Sequence, residues 1–308
     1  MKFLRYLLPA TLCLLIATNV GSQDLNLDLK GKAKGKISSF KDAKIHAYTQ
    51  QFTDSINSFI KNNFESNKYL DFSVNTQEYL KPTFSIMSVN EIKKLDNGTI
   101  FNQTSINTHD GDETINIGFG TRRLLNDNTL ILGANTFYDR QFSEQHERVG
   151  MGAEAISSIM DIRGNYYNAT SGRKINDDNE EERALDGWDL RGDYHLPVDY
   201  SVDLFVTAYE FENPEESSTF KDKGNKFGAN ATIGNFIFEG GYVDDNQNND
   251  DFFASIKLSI KIGEEDNKLE NRSSDLVDVS DKLYQPVKRE NKIRVVRFSK
   301  SGIQVSGF

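Results

Sequence analysis

From Tyr69 to Ile262 apolar and polar residues alternate with a period of two. That pattern predicts β-strands whose two faces meet different surroundings. Twelve runs carry it, at 69–79, 83–94, 99–108, 114–124, 129–140, 147–157, 159–169, 187–196, 199–211, 226–233, 235–243 and 252–262. In 187–196, Trp188, Leu190, Gly192, Tyr194 and Leu196 share one face, and Asp189, Arg191, Asp193 and His195 the other. In 252–262, Ala254, Ile256, Leu258, Ile260 and Ile262 oppose Ser255, Lys257, Ser259 and Lys261. The same separation sets Ile115, Ile117 and Phe119 against Asn116, Gly118 and Arg122, and Val149, Met151, Ala153 and Ala155 against Arg148 and Glu154. Phe227, Ala229, Ala231 and Ile233 likewise oppose Lys226, Gly228, Asn230 and Thr232. Upstream the period changes. Tyr48, Phe52, Ile56, Phe59, Ile60 and Phe64 recur at spacings of three and four behind a Ser39-Phe40-Lys41-Asp42 capping signal, predicting an amphipathic helix over about 39–65.

Alternation fits both a soluble sandwich, with its apolar face buried, and an outer-membrane barrel, with its apolar face toward lipid. Strand length and loop asymmetry separate them. The runs are about ten residues long, against ~5–6 in soluble sheets and ~9–11 for a tilted membrane-spanning strand. Tight connections at Leu95–Gly98, Leu125–Asn128, Ser158, Pro197–Val198 and Gly234 alternate with longer polar ones at 109–113, 141–146, 170–186, 212–225 and 244–251. The short first hairpin, Leu80–Pro82, is the exception. Tyr138, Tyr166, Trp188, Tyr209, Tyr242 and Phe252 gather at the long-loop ends, where an interfacial girdle belongs. The expected fold is an all-β membrane protein, a twelve-stranded antiparallel outer-membrane β-barrel.

Composition narrows the chemistry. Past residue 22 no 18-residue apolar run exists, mean hydropathy is −0.57, and no membrane-spanning helix is expected. The net charge of −10 argues against a nucleic-acid partner. Lys2 and Arg5 followed by apolar Leu7–Ala17, with Val20 and Ser22 at the cleavage positions, read as a signal peptide over 1–22 and a mature start at Gln23. Leu12 before Cys13 stands where a lipoprotein site needs a small residue. Cys13 is the one cysteine, so a cleaved chain has no disulfide, thiolate metal site or cysteine nucleophile. His46, His109, His146 and His195 show no metal-ligand spacing, and no metal or cofactor is expected.

The segment LILGANTFYDRQFSEQHERVGMGAEA (130–155) resembles the hallmark of the intimin/invasin, or inverse autotransporter, β-domain. The matching residues are Leu132, Gly133, Ala134, Asn135, Phe137, Tyr138 and Asp139, then Arg148, Gly150, Gly152, Ala153 and Glu154. Glu182-Arg183, Gly187-Trp188-Asp189-Leu190-Arg191 and Leu196-Pro197 follow in the family's order; Gly118, Gly120 and Arg122, and more loosely Phe101-Asn102-Gln103, precede it. The resemblance covers about 70–263 and extends weakly to 298. It implies a twelve-stranded barrel with a periplasmic N-terminal segment and an exported C-terminal passenger. Ser274–Leu283 and PVKRENKIRVVRF (286–298) resemble the family's linker, a short helix in the pore followed by an extended segment leading outward. Arg289, Asn291, Ile293, Val295 and Phe298 are the nearest matches. The chain departs from the family in carrying only ten residues beyond that segment, with no adhesive domain among them, and in having Ile260 where an aromatic is common.

The implied organisation is a signal peptide (1–22), a periplasmic lead-in and helix (23–66) that opens with a polar stretch reading as disordered, a transmembrane barrel (67–263), and a lumen helix with a linker-like tail (264–308). The implied role is non-enzymatic: anchoring and threading the C-terminal segment to the cell surface, with adhesion through surface loops. The implied partners are outer-membrane lipid and lipopolysaccharide, the barrel-assembly machinery and periplasmic chaperones, and a host or cell-surface ligand of unstated identity.

With polar faces inward, the lumen-facing residues are Arg122, Asn135, Asp139, Arg148, Glu154, Asp161, Arg163, Asp189, Arg191, Asp193, Glu239, Lys257 and Lys261. Their mixed signs suit a paired polar core better than a selectivity ring. Glu154 with Asp189 has no nucleophile beside it to make a catalytic pair. The acidic loops NDDNEEERALD (176–186), NPEES (213–217) and DDNQNNDD (244–251) are expected to be solvated, with weak divalent-cation bridging near lipopolysaccharide as the functional option. Two rival functions stay open: a small-solute channel, should 274–284 leave the lumen, and a soluble β-sandwich binding module.

Overall fold

The computed structural model describes residues 67–77, 83–109, 112–176, 179–198, 201–215, 218–247, 251–261, 274–299 and 302–306. The leader and the helix expected over 39–65 lie outside these residues, in a unit, Met1–Glu65, distinct from Ser66–Phe308. In chain order the strands are β1 (Asn67–Gln77), β2 (Thr83–Leu95), β3 (Gly98–His109), β4 (Asp112–Leu125), β5 (Leu130–Gln141), β6 (Glu147–Ser157) and β7 (Met160–Ala169). Two short strands, β8 (Lys174–Ile175) and β9 (Glu181–Ala184), precede β10 (Asp186–His195), β11 (Ser201–Glu212), β12 (Lys221–Ile233), β13 (Phe236–Asp245) and β14 (Asp251–Lys261). β15 (Val295–Ser299) and β16 (Gly302–Ser306) follow.

β1–β7 and β10–β14 form a closed antiparallel barrel of twelve strands in sequential order. β1 pairs with β14, from Tyr69↔Lys261 to Gln77↔Phe253, and closure leaves no sheet edge. The period of two becomes an inside-out protein. In β7, Asp161, Arg163, Asn165 and Tyr167 are buried while Met160, Ile162 and Tyr166 are exposed. Phe119, Met151, Leu190, Val206, Phe227 and Ile256 are likewise exposed, a continuous apolar outer surface that a soluble protein would not leave bare. Tyr138, Tyr166, Trp188 and Phe252 are exposed as a girdle requires. Tyr209 is not: it is 4% exposed and packs inside with Tyr167, Leu185, Phe211 and Val296. It sits two residues before Phe211 on the inward face of β11, so strand parity overrides its place near the rim.

The connections keep the expected asymmetry with three changes. The 109–113 loop shrinks, because the β3–β4 ladder runs to His109↔Asp112. The 212–225 loop also shrinks, because Lys221–Asn225 pair with Ala208–Glu212. The long 170–186 connection contains β8 and β9. In the β4–β5 turn Asn126, Asp127 and Asn128 all take left-handed φ values of 52°, 55° and 66°, a region that Asn and Asp enter more readily than other residues with a side chain. Outside the barrel a second sheet forms in the order β16-β15-β9-β8.

The helix expected within 274–283 is, among the described residues, one 3-10 turn at Ser280–Tyr284. The preceding amides are committed elsewhere. Val277 N–H donates to Ser158 Oγ at 3.1 Å and Val279 N–H to Asn128 O at 2.9 Å, so two barrel turns hold the stretch that leads into the 3-10 turn. Asp278 Oδ1 accepts from Ser280 N–H at 2.8 Å. The Ser280 side chain first, and that backbone bond second, hold its carboxyl below the usual range.

Candidate functional site

The site is the interior of the barrel together with residues 279–294, which run through it as the 3-10 turn followed by an extended stretch. The path follows from the contacts. Tyr284 bonds Glu91 on β2. Val287 exchanges two hydrogen bonds with the Gln103 side chain on β3, its N–H donating at 2.7 Å and its carbonyl accepting at 3.3 Å. Arg122 on β4 donates to Leu283 O at 2.8 Å and Gln285 O at 2.6 Å. Asn165 on β7 donates to Lys288 O at 3.1 Å, and Arg148 on β6 to Glu290 O at 2.7 Å. Glu290 N–H donates to Tyr167 Oη at 2.7 Å, and Asn116 on β4 donates to Asn291 O at 2.9 Å. An extended segment carries a row of unpaired backbone groups, and here the barrel's side chains satisfy them in place of a neighbouring strand.

Three charge clusters sit along this path. In the first, Arg122 meets Glu154 in a two-point pair at 2.6 and 3.1 Å. Arg163 lies 3.6 Å from Glu154, 2.9 Å from Asp161 and 3.2 Å from Asp193. Arg191 extends the chain to Asp193 at 2.8 Å and Glu239 at 3.3 Å, and Lys288 of the tail reaches Asp193 at 2.9 Å. In the second, Asp139 accepts from Arg148 at 2.8 Å, from Asn116 at 2.8 Å and from both Arg289 terminal nitrogens at 2.8 and 2.7 Å. The Arg289 guanidinium lies 4.3 Å from the Phe137 ring centre and 5.2 Å from that of Tyr167. The third, at the long-loop end, is Arg294, which donates to Asp222 at 2.5 Å between the Tyr209 and Phe211 rings at 4.5 and 4.6 Å. Buried charges are tolerated when paired in this way, and removing one partner costs about 3–5 kcal/mol.

Small residues make the room. A Cβ on Gly118 would stand 2.2 Å from the Phe137 ring, and one on Gly120 would stand 2.4 Å from the Phe101 ring. These rings support Arg289 and Arg122 respectively, the latter at 4.7 Å. The tail also contributes an apolar residue to each of four interior clusters: Val287 beside Tyr69, Val89, Phe101 and Phe137; Val296 beside Tyr167, Tyr209 and Phe211; Ile293 and Val295 beside Ala169 and Ala184; and Val279 beside Ile131 and Ile156.

Of the residues singled out from sequence, Arg122, Asn135, Asp139, Arg148, Glu154, Asp161, Arg163, Asp189 and Asp193 are buried. Asp189 accepts from Asn165 at 2.7 Å and Tyr167 at 2.5 Å, and lies with Tyr167 beside the tail rather than against Glu154. Arg191, Glu239 and Lys257 are half-buried, with Lys257 3.8 Å from Asp71. Lys261 belongs to β14, and its side chain is outside the described residues. The sequence reading assigns no lumen role to Gln103, which it names only in the family resemblance, nor to Asn165, Tyr167, Asp222 and Arg294. Asn116 was on the polar face it recognised, and extending the same parity to β3 and β7 would have found the first three.

At the long-loop end β9 receives the emerging tail. Val295, Val296, Arg297 and Phe298 pair with Ala184, Arg183, Glu182 and Glu181. Glu182 accepts from Asn176 at 2.8 Å and Arg297 at 2.6 Å, and buried His146 lies 3.4 Å from its other oxygen. Burial alone would raise this carboxyl. His146 beside it, the hydrogen bond from Asn176 and the Arg297 charge outweigh burial and hold it below the usual range.

Comparison with known proteins agrees with this geometry. A homolog of the attaching and effacing protein in Escherichia coli (strain K12) is 33% identical over 129 residues, 41% of this chain and 43% of its own length. Intimin of Escherichia coli O127:H6 is 28% identical over 186 residues, 59% of this chain and 18% of intimin. The chain thus spans less than half the length of these curated relatives. A solved structure described as "Unveiling the Mechanism Behind the in-meso Crystallization of Membrane Proteins" superposes with a TM-score of 0.63 at 21% identity, over 75% of this chain and all of its own, which establishes the shared fold. The description "Inverse autotransporter, beta-domain" matches residues 16–291. This chain belongs to the inverse autotransporter family, and its barrel is an outer-membrane β-barrel of that type.

Proposed function

We propose that the barrel anchors this chain in the outer membrane and holds residues 279–297 as a threaded segment that presents β15 and β16 at the cell surface. The observation that carries the reading is the tail's path, bonded in turn to β2, β3, β4, β5, β6, β7, β10 and β12. On this reading Arg122, Asn135, Asp139, Arg148, Glu154, Asp161, Arg163, Asp189, Arg191, Asp193, Glu239, Lys257 and Lys261 form the lumen wall, whose work is to seat the segment. The role is structural and non-enzymatic. Residues 1–22 serve as the export signal, 23–66 as the periplasmic lead-in with its helix, 67–263 as the barrel and 264–308 as the linker-like tail with its helical element. Lipopolysaccharide around the apolar belt, the barrel-assembly machinery and periplasmic chaperones are the partners that such a barrel needs. The surface loops and the displayed hairpin are where adhesion to a cell-surface ligand would occur.

The test is a protease-cleavable tag after Phe308 in intact cells, with membrane fractionation alongside. A membrane-bound protein whose tag is cut supports threading. A membrane-bound protein whose tag is protected ends it and turns attention to the rival small-solute channel. That channel needs the tail out of the lumen, and planar-bilayer conductance would report it.

A further inference from the structure

The 170–185 connection does more than link β7 to β10. Its strand β9 offers one edge to β8 and the other to β15. The surroundings of that second edge are built largely from residues outside the tail. Glu182 is buried and held by Asn176 and His146, neither of which belongs to the tail. Leu185, Tyr209 and Phe211 line an apolar recess that Val296 fills, and Ala169 with Ala184 receives Ile293 and Val295. Arg173, fixed by Glu181 and Glu215 at 2.6 Å each, stands 4.4 Å from the Phe298 ring. Leu185 N–H continues the ladder to Arg294 O at 3.0 Å, and Asp222 takes the Arg294 side chain.

The geometry points to a strand-acceptor site. We propose that the β9 edge, with Glu182 as its selective group, captures the segment Ile293–Phe298 as it leaves the lumen and keeps it from sliding back. Backbone hydrogen bonds supply attachment, and the side-chain recesses supply register, the division of labour seen when an extended peptide adds to a sheet edge. The recognised ligand is an extended stretch with apolar Ile293, β-branched Val295 and Val296, and cationic Arg294 and Arg297. The Arg297–Glu182 pair sits directly across the two strands, so a slip by one residue would set Arg297 against the wrong face of β9. A captured strand also gives β16 an edge on which to pair, as Val295↔Ser306 to Ser299↔Gly302. On this view export gains direction at the mouth of the barrel, where each residue captured is one that no longer diffuses inward.

The inference rests on the surface-display reading, and one experiment separates the two. Ala184→Cys with Val295→Cys places a disulfide across the β9–β15 pair; the sequence's own cysteine, Cys13, lies in the expected leader. The crosslink yield is read beside tag cleavage after Phe308, in Glu182→Arg, in Arg297→Glu and in the double charge swap. Heat-modifiable migration verifies barrel folding in each. The expected result is a folded barrel with both readouts reduced on the order of tenfold in either single variant, because a buried charge loses its partner. The swap should return both toward the parent. Unchanged crosslinking in Glu182→Arg, or a swap no better than the singles, overturns the acceptor. If the parent tag is protected while the crosslink forms, the display reading falls alone and the crosslink yields of the variants decide the acceptor.

Discussion

Two walls of the same barrel carry the same alternating pattern and end in different states. Along β4–β7 and β10, inward Arg122, Asp139, Arg148, Glu154, Arg163 and Asp193 are buried and matched charge for charge or with tail carbonyls. Along β12–β14, away from Asp222, which is buried where the tail's Arg294 meets it, the inward charged residues Lys226, Glu239 and Lys257 remain half-buried, with the Glu239 and Lys257 side chains 27% and 33% exposed. The sequence period is two on both walls. What differs is the filling: the tail lies along the first wall, and burial follows it. A period therefore tells which face is inward but not whether that face is dry.

The sharpest way to break the contrast is Arg289→Ala, which takes from buried Asp139 the tail's guanidinium and its two hydrogen bonds, leaving it Arg148 and Asn116. The tail should loosen, with a loss of about 3–5 kcal/mol read as a lower urea midpoint of the heat-modifiable barrel. The packed wall should then resemble the open one in hydrogen exchange. Next comes Gly118→Val, whose added atoms meet Phe137 and displace it from Arg289. A cost of about 1–3 kcal/mol is expected from overpacking, with a matching fall in that midpoint. Gln103→Ala leaves the buried Val287 amide without its two partners and should cost about 1–3 kcal/mol, without preventing assembly. Lys257→Ala, on the open wall, removes a side chain that is 33% exposed and 3.8 Å from buried Asp71, with no hydrogen bond between them, and should lower the same midpoint by less than Arg289→Ala does. An equal loss for Lys257→Ala and Arg289→Ala would erase the distinction between the walls.

The gentlest probe is acid at the tail's outer end. The Glu182 carboxyl lies below its ordinary value of about 4.3 in the folded cap. Its contribution is therefore complete above that value and lost as pH falls through the lowered one. Amide protection of Val295–Phe298 should stay level from neutral pH to about 5 and decline only below about 4, a window set by the Glu182 carboxyl.

Reading outward from residues, the strands are legible because they carry about eight to twelve positions of largely alternating character and most turns announce themselves with Gly, Asn or Asp. The strand ends are less so. Lys221–Asn225 is too polar to look like a strand and becomes one because β11 extends a template beside it. β9 is four residues with two adjacent glutamates, a segment with no strand signature of its own, and pairs through its register with β15. Asp139 and Arg148 could be read as inward from parity. Their tail partners, Arg289 for Asp139 and the Glu290 carbonyl for Arg148, lie 150 and 142 positions away, a closeness created by threading and by nothing local. Tyr209 shows the same limit from the other side, since proximity to the rim suggested a girdle while parity turned it inward.

Trp188, the sequence's lone tryptophan, stands 41% exposed on the outer face of β10. Its indole emission is thus a single-site optical gauge of the lipid environment. Insertion into a bilayer should shift that emission to the blue, and a quencher carried on acyl chains should darken it, while rearrangements confined to the threaded tail leave it unchanged. The native chain can be followed into a membrane by light alone, with no label attached.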